Sequence, residues 1–422
     1  MKKNLFQLMV VVLLSFNLSS CDSFCIKKDH QMTIYVATDL HLYASNLIGK
    51  DNQTYTKDVL TTDGRVQQYD YELVNALIDT VNSNDVDYLL LTGDLSFNGE
   101  KDSHLELVKL LDKIQPSCKV LVIPGNHDYN ILNSISLVDD KVSSTSTITM
   151  EEFKEIYKNY GYENAYSYDE ESLSYIYELS EDKWALMVDT TLSEFNQEVD
   201  FNVVGGELST NTLSWIESNL KHAKENNIEV IASSHHNLIT HNELFESNYT
   251  LYNASSLKEL YAKYDVKLNF SGHLHIQNIQ KETINENDIY DVSMVSILDY
   301  GNRYGILDIY ENCYDFKTYN LNPKMDFDFK EYSFNWFYQK YYNKQLTLNS
   351  LYYKDYDYEA ITDFASKINT YYFDGNYKEI SKLVKKNQDY VNIIKDKKKD
   401  KYIISIMEVN GKEKHTEILI KK

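Results

Sequence analysis

Residues 33–41 read TIYVATDLH, a short apolar run that ends in an acid and a histidine. The same arrangement returns in residues 88–94, YLLLTGD, and in residues 120–128, VLVIPGNHD. Short apolar runs of this kind are typical of buried strands. The polar residues follow each run directly, and ligands of open α/β sheets bind beyond the strand ends. We therefore expect a ligand site where these strands end.

Further apolar runs cover residues 184–188 and 228–232, and amphipathic segments lie between the runs. The helical spacings of three and four occur in Leu73, Leu77 and Val81, in Leu105, Val108 and Leu111, and in Leu213, Ile216 and Leu220. From Thr33 to about Asn320 this alternation predicts an α/β domain. Residues 43–68 are rich in Asn, Asp and Thr and predict a long loop, which is usually functional in a compact domain.

Length and charge narrow the possible functions. A chain of 422 residues exceeds the usual size of one hydrophobic core, so we expect a catalytic domain and a smaller appendage. The formal net charge of -22 argues against a nucleic-acid polymer as partner, because a phosphate backbone needs a basic surface. An anionic substrate would be attracted locally, by bound cations.

The N-terminus predicts export. Lys2 and Lys3 precede an apolar run from Leu5 to Leu14, which is short for a bilayer span but suits a signal peptide. The run ends in Leu-Ser-Ser-Cys at residues 18–21, which resembles the bacterial lipobox, whose Cys receives lipid. We interpret residues 1–20 as a lipoprotein signal peptide, Cys21 as the lipidation site and residues 21–32 as an anchor linker. The mature protein is expected on the outer face of a bacterial cell membrane.

The amino-acid composition changes after Pro323, where a Tyr- and Lys-rich region begins. We place a domain boundary there, with residues 33–322 as the catalytic domain and residues 323–422 as a smaller, mainly helical domain. An Asn-Gly pair at residues 410–411 favours a hairpin near the chain end. The remaining cysteines are widely spaced and predict no disulfide framework, and Cys118 is interpreted as a small buried apolar residue.

Groups of metal-competent residues follow the predicted strands. The groups are Asp39 with His41, Asp94, Asn126 with His127 and Asp128, His235 with His236, and His273 with His275. Residues two apart project to the same side of an extended or tight segment, so the Asp-x-His and His-x-His pairs can converge. Carboxylate, amide and imidazole groups suit Mn, Fe or Zn rather than a thiolate site. Asp94 is the best candidate to bridge two metal ions, because a carboxylate has two oxygens.

Four further histidines carry no such pattern. They are His104, on the helix with Leu105, and His222, His241 and His415, in polar segments. We expect all of them at the surface and assign them no role.

Taken together, the groups D-x-H, G-D, G-N-H-D, a later H and G-H-x-H resemble the calcineurin-like metallophosphoesterase family over residues 33–310. The resemblance implies a four-layer sandwich, with two mixed β-sheets flanked by helices. It also implies one metal ion on Asp39, His41, Asp94 and His275 and a second on Asp94, Asn126, His235 and His273. His127 resembles the family's non-ligand histidine, which contacts phosphate or protonates the leaving oxygen. The choice of His235 over His236 rests on the resemblance alone.

Three functions remain open at this point. The motifs and the lipobox together are similar to secreted bacterial cyclic-nucleotide phosphodiesterase-like lipoproteins, so hydrolysis of phosphodiesters such as cyclic nucleotides is the first expectation. A broad phosphomonoesterase that scavenges phosphate is the second. A surface-binding lipoprotein with a structural metal site is the third, and an unligated histidine argues against it. The native metals and the oligomeric state are left open.

Overall fold

A computed structural model describes residues 27–49, 55–56, 59–60 and 64–422. The predicted signal peptide, the predicted lipidation site Cys21 and the first part of the anchor linker lie outside these residues. Within the described ranges, no helix combines the length and the apolar character needed to cross a membrane.

The order of elements alternates strands and helices up to residue 320 and is helical after it. The strands are β1 His30–Ala37, β2 Tyr88–Thr92, β3 Lys119–Ile123, β4 Ile135–Ser136, β5 Ser143–Ser144, β6 Ser167–Tyr168, β7 Tyr175–Ser180, β8 Lys183–Val188, β9 Glu229–Ser234, β10 Leu268–Ser271, β11 Asn278–Ile284, β12 Asn287–Ser293, β13 Arg303–Tyr310, β14 Cys313–Asn320 and β15 Glu417–Lys421. The helices are α1 Asp70–Asn82, α2 Lys101–Leu111, α3 Met150–Ile156, α4 Asn196–Val199, α5 Thr210–Glu225, α6 Ala254–Tyr264, α7 Phe329–Tyr352, α8 Tyr358–Phe373, α9 Tyr377–Lys386, α10 Gln388–Lys397 and α11 Lys401–Met407.

The strands form two large mixed sheets. The six-stranded sheet has the order β15-β14-β13-β1-β2-β3, and the seven-stranded sheet has the order β11-β12-β10-β9-β8-β7-β6. In the first sheet β1, β2 and β3 are parallel, whereas β13 is antiparallel to β1. In the second sheet β8, β9, β10 and β12 are parallel, and the outer strands are antiparallel. Both sheets therefore point the carboxyl ends of their central strands toward one edge.

The main hydrophobic core lies between the two sheets. Phe270 of β10 and Phe316 of β14 meet there with ring centroids 5.2 Å apart, and both side chains are fully buried. Helix α1 covers the outer face of the first sheet with Leu73, Leu77 and Val81, as predicted. Helices α5 and α6 cover the outer face of the second sheet. The predicted sandwich of two mixed sheets flanked by helices is confirmed.

Helix α2 forms where it was predicted, and Leu111 is buried and Val108 packs against the core, but the centre of the buried face is shifted. Leu105 is 40% exposed, whereas His104 and Leu107 are fully buried. Both faces have the helical spacing of three and four, so the sequence pattern alone does not separate them. The prediction of a surface position for His104 was wrong, because its ring nitrogens contact Tyr157 Oη at 2.9 Å and the carbonyl oxygen of Asp128 at 2.7 Å. The same prediction was wrong for His241 and His415, which are also buried.

Helices α7–α11 follow residue 323 and have a hydrophobic core of their own. The chain then returns to the first sheet, where β15 pairs with β14. The expected hairpin at residues 410–411 was wrong, because one side of it is helix α11 and the other is the edge strand β15. The helical region is therefore tied to the sandwich at both ends.

The predicted loop of residues 43–68 packs closely where it is described. Tyr43, Leu47, Tyr55 and Val59 form an apolar cluster with Leu137. Tyr43 stacks on Phe97, with ring centroids 4.5 Å apart. These contacts hold the loop against the turn that follows β2.

Candidate metal centre and cavity

The predicted site residues lie at one edge of both sheets. Each follows a central strand directly: Asp39 and His41 follow β1, Asp94 follows β2, Asn126 and His127 follow β3, His235 follows β9, and His273 and His275 follow β10. The carboxyl ends of parallel strands meet at the same edge of a sheet, where α/β folds bind their ligands. The packed sheets thus bring side chains from five separate segments into one crevice.

The backbone at these positions is unusual. Asp39, His41, Asp94, His273 and His275 all adopt the left-handed conformation, with φ between 41° and 64°. Such angles cost free energy in residues with a Cβ, and they concentrate at functional sites. Here they turn each side chain sharply out of its strand toward the shared crevice.

Two glycines let the segments approach. A Cβ on Gly125 would lie 2.2 Å from Asp94 Oδ1, and a Cβ on Gly272 would lie 2.5 Å from Asp39 Oδ2. Both distances are far shorter than a non-bonded contact allows. Any side chain at these positions would displace a carboxylate of the crevice.

The first cluster contains Asp39, His41, Asp94 and His275, whose ligand atoms all lie within 4.8 Å of one another. His41 Nε2 is 3.8 Å from Asp39 Oδ1 and 3.7 Å from Asp94 Oδ2. His41 Nε2 and His275 Nε2 face each other at 3.4 Å. Two imidazole nitrogens and two carboxylates around one small volume are a suitable donor set for a cation.

The second cluster contains Asp94, His235 and His273, again with ligand atoms within 4.8 Å of one another. His235 Nε2 lies 3.4 Å from Asp94 Oδ1 and 3.1 Å from Asn126 Oδ1. Asp94 therefore presents Oδ1 to the second cluster and Oδ2 to the first. This arrangement fits two metal ions that share one carboxylate.

The electrostatics of Asp94 favour its charged form. Burial by itself would raise the pKa of the carboxyl group, but His235, His127 and His41 outweigh burial and hold that pKa well below its ordinary value. The side chain is therefore an anion at neutral pH although it is almost fully buried. A buried anion of this kind requires nearby positive charge.

Hydrogen bonds behind the clusters orient the imidazole rings. His275 Nδ1 donates to Asp299 Oδ2 at 2.7 Å, and His235 Nδ1 donates to the carbonyl oxygen of Thr92 at 2.9 Å. His273 Nε2 donates to the carbonyl oxygen of Asn248 at 3.0 Å. Each bond leaves the other ring nitrogen with its lone pair available to a cation.

Sequence reasoning missed these partners. Asp299 is the one with a usable signal, since it follows the apolar run of residues 294–298 at a turn that ends in Gly301. The carbonyl oxygens of Thr92 and Asn248 carry no signal in a sequence, because every residue has one.

His127 belongs to neither cluster. Its backbone N–H donates to Asp94 Oδ1 at 2.9 Å, and its Nδ1 lies 3.0 Å from Asn98 Oδ1. Its ring lies edge-on to His41, with centroids 5.2 Å apart. Burial, assisted by Arg65, lowers the pKa of His127 despite the opposing effect of Asp94. The ring lines the crevice as a polar group beside the clusters.

The neighbouring histidines 235 and 236 have different surroundings. His236 is turned away, with Nδ1 2.8 Å from Thr190 Oγ1 and Nε2 2.9 Å from the carbonyl oxygen of Val204. Burial lowers the pKa of His236 to about 3, so its ring is neutral. The structure thus places His235 within the second cluster and gives His236 a role in packing the loops.

Asn237, which follows the two histidines, forms hydrogen bonds through both its backbone and its side chain. Its backbone N–H donates to the carbonyl oxygen of Tyr249 at 3.0 Å, and its Nδ2 donates to Ser271 Oγ at 2.7 Å. Proline has no N–H and could form neither bond. The asparagine therefore ties the end of β9 to the end of β10.

Asp128 supports the crevice from behind. It is fully buried and accepts hydrogen bonds from the backbone N–H groups of Leu95, Ser96 and Gly125. Burial, with a contribution from Asp94, raises its pKa to about 7. Asp128 thereby joins the turns that follow β2 and β3.

A cavity of about 1160 Å³ opens over the two clusters. Its floor includes His41, Asn126, His127, His273 and His275. Its opposite wall comes from the C-terminal helices, through residues of α7, α8 and α11. Both the candidate metal centre and the helical region therefore face the same cavity.

Comparison with known proteins shows which family the sequence of the sandwich matches. Residues 32–277, more than half of the chain, match the family described as calcineurin-like phosphoesterase. A probable cyclic nucleotide phosphodiesterase of Coxiella burnetii is 27% identical over 191 residues, which cover 45% of this chain and 60% of that protein. A 3',5'-cyclic-nucleotide phosphodiesterase of Nostoc sp. is 24% identical over 245 residues, which cover 58% of this chain and 71% of that protein.

Among solved structures, a dimetal phosphatase from Danio rerio aligns with 70% of this chain and 98% of its own length. The TM-score is 0.47 and the sequence identity is 11%.

Metal content tests whether His235, and not the adjacent His236, is a metal ligand. We expect His235→Ala to bind about one metal ion fewer per chain than the parent protein, because one cluster loses an imidazole donor. The matched variant His236→Gln should keep the parent's metal content, since His236 faces Thr190 and Val204. Elemental analysis after loading with Mn²⁺ and desalting gives both values. Equal losses in the two variants would contradict the assignment.

Proposed function

The chain belongs to the calcineurin-like phosphoesterase family, and on that premise we propose that it hydrolyses phosphodiesters, with 3',5'-cyclic nucleotides as the first substrate class. The observation that carries the proposal is the pair of His/Asp clusters that share Asp94 and present His41, His273 and His275 to the floor of an open cavity. The two relatives named as cyclic nucleotide phosphodiesterases support the substrate class. A structural metal site is usually closed, whereas this pair faces a cavity.

In this proposal Asp39, His41, Asp94 and His275 hold one metal ion, and Asp94, Asn126, His235 and His273 hold the other. Metal ions bound there lower the pKa of water and neutralise charge on the phosphate oxygens. The ions are divalent or trivalent, with Mn, Fe and Zn suited to the mixed oxygen and nitrogen donors. The residues behind the clusters keep the donors in place before any ion binds.

His127 acts on the leaving group. Nδ1 donates to Asn98 Oδ1, so Nε2 is the ring atom left for the substrate, and it carries a proton only when the ring is the doubly protonated imidazolium. Burial disfavours that form in the free protein, and an anionic substrate beside the ring would favour it. A proton held on Nε2 can pass to the departing oxygen, or it can stabilise the negative charge that develops there. The contact with Asn98 fixes the ring for this task.

The activity is tested with a panel of esters in the presence of Mn²⁺. We expect bis(p-nitrophenyl) phosphate and 3',5'-cyclic AMP to be hydrolysed with higher kcat/KM than p-nitrophenyl phosphate and 5'-AMP. Asp94→Asn should lower kcat/KM for the diesters at least about a hundredfold, because each metal ion contributes several kcal/mol to the transition state. The control Asp85→Asn changes an exposed carboxylate. Faster turnover of the monoesters would instead favour phosphate scavenging.

The role of His127 is tested by separating turnover from metal binding. His127→Gln should lower kcat for 3',5'-cyclic AMP about 10²–10⁴-fold, the usual contribution of a general acid. Its metal content should equal that of the parent protein, because His127 lies outside both clusters. The loss should be smaller for bis(p-nitrophenyl) phosphate, whose leaving group needs little protonation. A loss of metal in this variant would make His127 a ligand instead.

We also propose that the protein is exported and anchored to the outer face of the bacterial membrane by lipid on Cys21. The proposal is supported by the two lysines, the apolar run and the Leu-Ser-Ser-Cys sequence at residues 18–21. Two acyl chains on one cysteine anchor a protein more firmly than one chain does.

The anchor is tested by fractionating bacteria that express the full chain. We expect the parent protein in the membrane fraction and Cys21→Ser largely outside it, because the variant lacks the atom that accepts lipid. Cys118→Ser is the control, since Cys118 is buried in the folded body. Equal membrane recovery of Cys21→Ser and the parent protein would overturn the proposal.

A further inference from the structure

We infer that the C-terminal helices form the selective half of the substrate site and that they favour a diester with a second phosphate group, as in a 5'-phosphorylated dinucleotide. The inference rests on the proposed function and specifies its substrate class. Its basis is the wall of the cavity that faces the candidate metal centre. That wall contains Phe337, Lys340, Tyr341, Lys344, Phe373 and Tyr402.

Helix α7 presents one continuous face to the cavity. Phe337 lies three and four residues before Lys340 and Tyr341, and Lys344 lies four and three residues after them. All four residues line the cavity. Phe337 lies deepest and is buried, Lys340 is half-buried, and Lys344 is exposed. The face therefore changes from apolar near the sandwich to cationic toward the opening.

The charge of the cavity contrasts with that of the protein. The whole chain has a net charge of -22, yet the cavity lining includes Arg65, Lys340 and Lys344. Among the described residues of that lining the acid is Asp299, and its carboxylate contacts His275 at 2.7 Å. The upper wall of the cavity is thus a local site of positive charge on an acidic protein. Metal ions on the floor would take the reacting phosphate, and a second anionic group of the substrate would meet the positive charge of this wall.

The size and the aromatic lining point to the rest of the substrate. A cavity of about 1160 Å³ exceeds the usual 300–1,000 Å³ of a small-ligand pocket, so a mononucleotide leaves part of it unfilled. Tyr249 reaches the floor, with its ring 5.1 Å from the ring of His273. Phe245 and Tyr402 meet across the wall, with ring centroids 5.2 Å apart. Aromatic rings in such positions stack on nucleobases.

The wall is held at a fixed position over the floor. Trp336 Nε1 donates to the carbonyl oxygen of Arg65 at 3.0 Å, and the backbone N–H of Gln277 donates to the carbonyl oxygen of Phe373 at 2.9 Å. Leu274, between the candidate ligands His273 and His275, is buried in the core of the C-terminal helices. The helices and the metal-binding turn are therefore parts of one packed unit.

The test compares two substrates that differ only in the second phosphate. These are adenylyl-(3'→5')-adenosine and its 5'-phosphorylated form, each assayed with Mn²⁺. We expect the parent protein to hydrolyse the 5'-phosphorylated form with at least about tenfold higher kcat/KM, which corresponds to about 1.4 kcal/mol, because charge-assisted contacts to phosphate are stronger than neutral ones. This ratio should fall close to one in the double variant Lys340→Gln/Lys344→Gln. The control Lys354→Gln removes an exposed lysine outside the cavity and should leave the ratio unchanged.

The possible outcomes separate this inference from the proposed function. Hydrolysis of 3',5'-cyclic AMP without any preference for the 5'-phosphorylated dinucleotide would overturn the inference alone. A preference that persists in the double variant would also overturn it. Failure to hydrolyse every diester, including bis(p-nitrophenyl) phosphate, would overturn the proposed function. Lys344→Gln alone tests the same ratio if the double variant does not fold, since Lys344 is exposed and its loss leaves the core intact.

Discussion

The structure depends on two carboxylates, those of Asp39 and Asp94, that are buried side by side in one crevice. His41 Nε2 lies between them, 3.8 Å from Asp39 Oδ1 and 3.7 Å from Asp94 Oδ2. Buried anions are costly unless positive charge compensates them, and the surrounding histidines leave nitrogen lone pairs for cations. The arrangement is therefore stable as a cation-binding unit rather than as ordinary core packing. This requirement explains why so many buried polar residues gather at one edge of an otherwise apolar sandwich.

The turns that form this crevice contain considerable backbone strain. Each left-handed residue with a side chain costs about 1–3 kcal/mol, and the turns after β1, β2 and β10 contain such residues. Hydrogen bonds from neighbouring residues hold these turns in place. Asp128 gathers three backbone N–H groups, and Asn237 joins the ends of β9 and β10. Because the donors come from both sheets, cation binding is coupled to the packing of one sheet on the other.

The C-terminal helices are part of the same construction. Asp374, just after α8, pairs with Arg303 of β13 at 2.7 Å, and both side chains are largely buried. The final strand, β15, extends the first sheet along the edge of β14. Leu274 packs among the helices while the residues on either side of it face the crevice. The shape of the cavity thus depends on contacts between segments that are distant in sequence.

Much of the fold and the candidate site could be predicted from the sequence, because both depend on local patterns. Apolar runs followed by Asp, Asn or His indicated the strands and the residues at their ends, and helical spacing located α1 and α5. These signals are strong because strand burial and metal chemistry each restrict which residue types can occupy a position. The sequence did not determine which face of α2 packs on the core, because two faces of that helix have the same apolar spacing.

Only the tertiary structure decided which polar groups meet. His235 and His236 are chemically identical neighbours, and the loop that contains Thr190 and Val204 determines which of them turns away from the crevice. The hydrogen-bond acceptors behind the clusters include backbone carbonyl oxygens, which no sequence pattern marks. The lysines of α7 are ordinary in the sequence and become a cavity wall only because the helix packs over the strand ends. A sequence thus specifies the chemical groups that are present, and long-range packing determines their distances and their surroundings.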